Sequence, residues 1–402
     1  LVMVPLMEAL SRDPAAAQDF FAGDPTALKH FLTEWSMSDG GEALGKALEA
    51  AMLVFRDHDG SPRNPSRGYL SAKLASEFVR LEAERIKTGD SFAPFLKPVT
   101  VGRVLAGYIS DIDYAAQKGD STITSGVGGA DNPSVPGQDP WGARFNKAEL
   151  RRVMKEAFTD SRAFAPVLAA QAAFTGWLLD HGAIEMAAGR GDDALMSSAK
   201  QAGAGFGMIT DAASLAKIEE GKELDEAQQR NMKVLMAVVN TGFAVPQAGT
   251  WPITAGAVGA WTGLVEDGFK GDAETGARDD ANAAVDRTRG LVHDLTARAM
   301  LRHGVFGSAE PAATTHPWSS LEGLKKGDDP RDNPNNFLKD DGRTLMTKDE
   351  MIDGAATNGT DRYRRVEAYQ RWLYQGPSGK PWMDVGDRLD LGFSTAFAQY
   401  AS

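Results

Sequence analysis

Cysteine is missing from this 402-residue chain. Its absence rules out disulfides, thiolate nucleophiles and every zinc site built on Cys ligands. It leaves the redox compartment open. Basic charge is also in short supply: 43 Lys and Arg stand against 55 Asp and Glu, a formal net charge of −12. Duplex nucleic acid and anionic membranes are read with basic surface, so no nucleic-acid partner is expected. The longest basic runs, Arg151-Arg152, Lys325-Lys326 and Arg364-Arg365, read as solvated helix faces. There is no HExxH, no G-x-S-x-G and no Gly-Lys-Ser/Thr. No catalytic residue, cofactor or metal is therefore expected, and a non-enzymatic role is favoured. Leu1-Val2-Met3-Val4-Pro5 lacks the length and charged flank of a signal peptide. The expectation is an internal start within a longer chain, either cytoplasmic or secreted by a signal-peptide-independent route.

What the sequence does contain is helix. Hydrophobic residues make up 42% of it, enough for a sizeable core. Asp13-Pro14 and Asp24-Pro25 pair an N-cap with a proline at the first helical position. Helices are expected over Glu42–Phe55, from Leu70 to about Lys87, and over Val99–Tyr114. Leu150, Val153, Met154, Ala157 and Phe158 mark the cleanest amphipathic stripe. Pro166 is placed at the opening of a helix that stops at His181-Gly182. Asp211–Glu220 reads as a helix stopped by Gly221, and Asp225 opens the next. Val285 to Ala299 forms a long stripe ending at His303-Gly304, where a cation suits the helix dipole. Thr347-Lys348-Asp349-Glu350 is a capping box, and Tyr363–Tyr374 an aromatic-rich helix. The fold class is all-α: a multi-helix bundle with a buried apolar hairpin and a loop-rich C-terminal extension. Four regions are expected: an N-terminal helical subdomain (1–118), a Gly/Pro-rich loop (119–142), a central helical subdomain (143–304) and the extension (305–402).

The most unusual tract is Val234–Val265, in which no residue is charged. Its arms of about a dozen residues are short against the roughly 20 of a spanning helix. One reading is a hairpin buried in the domain. The other is a membrane-inserting hairpin, with Val234, Val245, Trp251, Trp261 and Val265 as the insertion candidates. His58 between Asp57 and Asp59 reads as a capped loop rather than a zinc site, and Gly203-Ala204-Gly205-Phe206-Gly207 lacks the strand that a phosphate loop needs. The acidic and amide residues from Asp328 to Asp341 fail the EF-hand spacing, since Phe337 and Lys348 would fall on ligand positions. Arg190-Gly191-Asp192 reads as an inter-helix turn. A hydrolase with dispersed acids near Gly119–Trp141 is a further alternative.

Several segments resemble an uncharacterised actinobacterial domain family found downstream of WXG-type helical segments of type VII secretion. They are Leu6–Leu10 with Asp13–Ala16 and Phe20-Phe21, Leu44–Ala51, Val104–Asp111, Phe145–Leu150 and Ala169–Phe174. The likeness covers about residues 4–300 and implies no activity or catalytic residues. The WXG hairpin itself is absent here. Tyr363-Arg364-Arg365-Val366-Glu367 matches the Tyr-x-x-x-Asp/Glu export signal of type VII substrates, so Tyr363 and Glu367 are the export-signal candidates; the plainer alternative is a surface helix with Tyr363 packed inward. The function expected is a secretion-associated or assembly protein working through helical protein–protein contacts or self-association. The alternatives are a toxin or effector that inserts 234–265 into membranes, and the acidic hydrolase.

Overall fold

The computed structural model describes residues 3–88, 96–118, 125–128, 140–215, 224–241, 282–305, 335–339, 344–375 and 380–397. Among them the chain is all-α. The helices are α1 (Met3–Arg12), α2 (Pro14–Gly23), α3 (Ala27–Thr33), α4 (Glu42–Leu53), α5 (Arg67–Thr88), α6 (Pro98–Gly107), α7 (Ile109–Gln117) and α8 (Lys147–Ala157). They continue as α9 (Ser161–Ala187), α10 (Asp193–Ala212), α11 (Glu226–Thr241), α12 (Asn282–Arg302), α13 (Lys348–Met351), α14 (Gly359–Arg362), α15 (Arg364–Gln375) and α16 (Lys380–Phe397). Two short antiparallel ribbons interrupt them: β1 (Gly60–Ser61) with β2 (Asn64–Pro65), and β3 (Gly126–Gly128) with β4 (Gly142–Arg144).

The N-terminal caps follow side-chain chemistry. Asp13 accepts from the Ala16 N–H, Asn146 from Glu149, and Asp225 and Gln228 cap each other reciprocally. Thr347 and Glu350 do the same ahead of α13. Asp24 behaves differently from Asp13. It accepts from both the Thr26 N–H and hydroxyl, a local turn that delays α3 until Ala27. At the C-termini, Gly189 and Gly304 take positive φ of 74° and 67° and close α9 and α12. In each case two backbone bonds recover orphan carbonyls: Gly189 to Met186 and Arg190 to Glu185, then Gly304 to Leu301 and Val305 to Met300.

Four sequence expectations are corrected. Pro166 does not open a helix: Asp160, accepting from the Arg162 N–H, starts α9 at Ser161, and Pro166 lies within it. Gly182 does not stop it either. It stays helical, where a side chain would meet the Leu195 backbone, its would-be Cβ 2.7 Å from Leu195 Cα. Asp211 belongs to the end of α10, not the start of a helix over 211–220; residues 216–223 lie outside the described set. The stretch Val99–Tyr114 is two helices, because Tyr108 leaves helical geometry at φ −118° and ψ 33°. Its buried hydroxyl donates to the Met52 carbonyl at 2.7 Å, which ties the break to the end of α4.

The core sits around α9 and α10, apolar on nearly every face and enclosed. Helices α5, α6 and α7 pack on α8, α9 and α10, so the elements before and after residues 119–142 meet along their lengths. Small residues set how closely they approach. A Cβ on Gly102 of α6 would stand 2.3 Å from the Ala163 carbonyl oxygen of α9. At the α10–α16 crossing, Gly203 and Gly392 face each other.

Ser214 holds the αL position that closes α10, with φ 59° and the bonds Ser214 to Asp211 and Leu215 to Thr210. L-residues other than glycine are strained there by about 1 kcal/mol. Ser214→Gly is therefore expected to raise the unfolding free energy by that amount in a denaturant melt. A loss of stability would show that the serine side chain contributes more than the strain it carries.

Candidate functional site

Tyr363 caps α14 and leads into α15, and its side chain is 42% exposed. The packed-inward alternative is therefore corrected. Asn358 holds α14 by accepting from the Asp361 N–H, and the Glu367 N–H donates to the Tyr363 carbonyl at 2.9 Å. That sets Tyr363 and Glu367 one helical turn apart, both at the surface. The buried residue of the same turn is Ala368, followed by Tyr369, whose hydroxyl donates to Asp294 of α12.

Of the apolar tract, only its first part is described. Val234, Leu235 and Val238 of α11 are buried, and α11 packs on α9 and α12. Val245, Trp251, Trp261 and Val265 lie outside the described residues. No described helix is long and apolar enough to cross a membrane.

The remaining motifs resolve into structure. His58 stacks on Trp141 with centroids 4.4 Å apart, and Tyr69 meets the same indole edge-on. Asp57 beside it accepts from the Gly68 N–H at 2.7 Å and caps α5. Among the described residues no group of three or more His, Asp and Glu side chains could hold a metal. Gly203–Gly207 is interior to α10 and serves packing. His303 at the end of α12 reaches Asp180 Oδ1 through Nε2 at 2.9 Å, beside Arg302 at 2.6 Å. Of the Asp328–Asp341 stretch, the described Asn336 accepts from the Leu338 N–H and is spent on its own turn.

The sequence reading missed the most unusual chemistry, which lies on α7. This short helix buries two carboxylic acids, Asp111 and Asp113, on different faces. Tyr108, just ahead of α7, and Asp111 and Tyr114 within it recur at three-residue spacing. Arg56 lies 4.0 Å over the Tyr108 ring and Arg144 lies 4.1 Å over the Tyr114 ring. Asp111 Oδ2 is buried and has no partner among the described residues. Burial pushes its carboxyl up to about 7, against the pull of Arg56, the Ala143 N–H and Arg144. A Cβ on Gly142 would stand 2.6 Å from Asp111 Oδ1, so only glycine lets β4 lie on the acid.

Asp113 points into the α7–α9–α10 junction. Its Oδ2 accepts from Gln171 Nε2 at 3.1 Å, and that amide also reaches Thr175 at 3.2 Å. Asp113 Oδ1, Gln171 Oε1 and Gln201 Nε2 have no partner among the described residues. A Cβ on Gly205 would fall 2.0 Å from Asp113 Oδ1. Burial raises the Asp113 carboxyl well above its ordinary value, with the Gln171 bond acting the other way. The signal available in the sequence was Asp-x-Asp inside an otherwise apolar, tyrosine-flanked helix.

Chemically, the two acids are structural groups held away from solvent, and burial raises the carboxyl of each. Set against protein-family models, curated proteins and solved structures, the chain matches none of them.

Proposed function

We propose that this chain is a non-enzymatic, secretion-associated assembly protein that works through contacts of its helical faces with protein partners or further copies. The observation that carries the reading is the pair Tyr363 and Glu367, set one turn apart at the surface where α14 leads into α15. A receptor that reads an aromatic ring and a carboxylate on one helical face needs both reachable and in fixed register. The capped turn of α14 supplies that register. The resemblance to domains found downstream of WXG-type segments adds the secretion setting. Enclosure of Asp111 and Asp113, at 6% and 0% exposure, weighs against their use as a hydrolytic pair.

The test is export of the full chain from an actinobacterial host with working type VII machinery. Tyr363→Ala and Glu367→Ala should each lower the amount in the medium by about tenfold, a loss worth 1.4 kcal/mol of recognition. Because both side chains are exposed, the purified variants should melt within about 0.5 kcal/mol of the parent. Undiminished export of both variants, or a parent chain that stays in the cell, overturns the reading.

A further inference from the structure

Helices α9 and α10 lie antiparallel, and three contacts fix their register. Gly182 meets Leu195, and Ser198 donates to the Leu178 carbonyl at 3.2 Å. Two turns further along α10, the would-be Cβ of Gly205 stands 2.7 Å from Gln171 Nε2, two turns back along α9. Each step along α10 thus matches a step back along α9. Gln201, one turn before Gly205, falls on the same face and opposite Thr175. Helix α7 closes the third side, because Asp113 Oδ1 lies 2.0 Å from the same Gly205 Cβ position. Any side chain on residue 205 would push the carboxyl out of the junction.

Four polar side chains from three helices therefore converge where water from outside does not reach. Asp113, Gln171 and Thr175 are 0% exposed and Gln201 is 3% exposed. The Gln171 amide nitrogen is spent on Asp113 Oδ2 at 3.1 Å and Thr175 Oγ1 at 3.2 Å. Two acceptors, Asp113 Oδ1 and Gln171 Oε1, and one donor, Gln201 Nε2, are left without a protein partner among the described residues. Buried polar atoms are costly unless hydrogen-bonded. The mixture of two acceptors and one donor defines what fits. A cation would be met by the Gln201 N–H, and an anion by two oxygens. A water molecule gives two hydrogens and accepts at its oxygen, which complements the set. Three bonds is also what a buried water ordinarily makes.

We propose that Asp113, Gln171 and Gln201 form a binding site for one internal water, which joins α7, α9 and α10. The water accepts from Gln201 Nε2 and donates to Gln171 Oε1. Its third bond is with Asp113 Oδ1, and it forms whichever of the two oxygens supplies the hydrogen. The site therefore works with the Asp113 carboxyl in either protonation state. Through it Gln201 ties α10 to the Asp113–Gln171 pair, which by itself links only α7 and α9.

Two measurements on the full chain test this. In a high-resolution crystal structure, one solvent peak should lie within about 3.2 Å of Asp113 Oδ1, Gln171 Oε1 and Gln201 Nε2 together. In solution, oxygen-17 relaxation dispersion counts the waters held inside the protein for longer than it takes to tumble. Gln201→Met keeps the length of the side chain and removes the donor, so the count should fall by one. Asp113→Asn keeps a hydrogen-bonding atom at the Oδ1 position, so the count should stay at the parent value. No solvent peak at the three atoms, a metal ion in its place, or a direct bond from Gln201 Nε2 to a protein oxygen overturns the proposal. So does a count unchanged in Gln201→Met, or one lowered equally in Asp113→Asn. The crystallographic result decides the matter on the parent chain even if a variant fails to fold.

Discussion

Alanine at Gly392 is expected to cost about 3 kcal/mol or more, although the same change elsewhere in a helix is favourable. Adding a methyl group to a helical glycine ordinarily gains about 1 kcal/mol, because the unfolded chain loses freedom. At Gly392 the new Cβ would stand 2.1 Å from the Lys200 carbonyl oxygen, 2.9 Å from the Ala204 nitrogen and 3.0 Å from Gly203 Cα. All three are backbone atoms of α10, so no side-chain rotation relieves the contact. The two helices must separate, and packing around Leu389 and Phe393 opens with them. Gly203→Ala should behave alike, its Cβ 2.3 Å from the Leu389 carbonyl oxygen. The double variant should cost less than the sum, since the crossing opens only once. Gly23, in α2, has nothing within 4 Å of its would-be Cβ. Gly23→Ala should accordingly be neutral or gain up to about 1 kcal/mol. Chemical denaturation of the four variants checks the set. If Gly392→Ala melts with the parent, α10 and α16 do not cross as closely as the structure has them.

The second large effect is a fall in stability as pH rises from about 4 towards 7. Asp111 has a folded value near 7 against 3.8 for a free aspartate, and Asp113 is also raised. Between the unfolded and folded values the native chain binds more protons than the unfolded chain, so unfolding free energy decreases with pH. The stability is fully present below the unfolded value and lost as pH climbs through the folded one. For Asp111 alone the change is on the order of 4 kcal/mol across pH 4 to 7. Glu49 and Glu82, raised by burial, act in the same sense, whereas exposed carboxylates act in the opposite one. Asp24, Glu42, Glu185 and Glu350 are lowered by hydrogen bonds and lose that benefit in acid, but all four are solvent-facing and screened. A stability maximum at about pH 4 to 5 follows. Asp111→Asn should flatten the slope above it, and Asp113→Asn should flatten it further while remaining as stable as the parent at pH 7, because an amide keeps the neutral shape. Asp113→Ala should be destabilising by about 1 to 3 kcal/mol, since it strands the Gln171 amide. Urea melts at several pH values read all of this. A stability that rises steadily from pH 4 to 8 in the parent would mean that both acids are ionised in the fold.

Helix existence was legible in the sequence wherever a local device marks it. Asp13 and Asp225 cap their helices through side chains placed three residues from the donors they satisfy. Gly304 ends α12 for a reason contained in its own φ. These are short-range effects, and a reader of the linear chain has every atom that causes them. Helix α10 was illegible for the opposite reason. Its Gly203-Ala204-Gly205-Phe206-Gly207 has poor helical propensity and imitates a loop, and only the backbones of α16 and the Asp113–Gln171 pair explain why larger residues do not fit. Gly182 and Pro166 misled in the same way, each carrying a local stop signal that packing overrides.

The candidate surface and the buried acids divide along the same line. The four-residue spacing of Tyr363 and Glu367 follows from sequence, but their exposure depends on which face of α15 meets the core, and Ala368 and Tyr369 settle that. Asp111 and Asp113 were visible as letters and silent as chemistry. Their meaning comes from β4, Arg56 and Gln171, brought in from residues far along the chain. What the linear order determined by itself was the all-α class, its caps and its acidic balance, because these rest on neighbours within a turn or on composition. The tertiary structure alone decided where glycine replaces bulk and which carboxyls keep their protons, because close approach and desolvation arise only when distant segments meet.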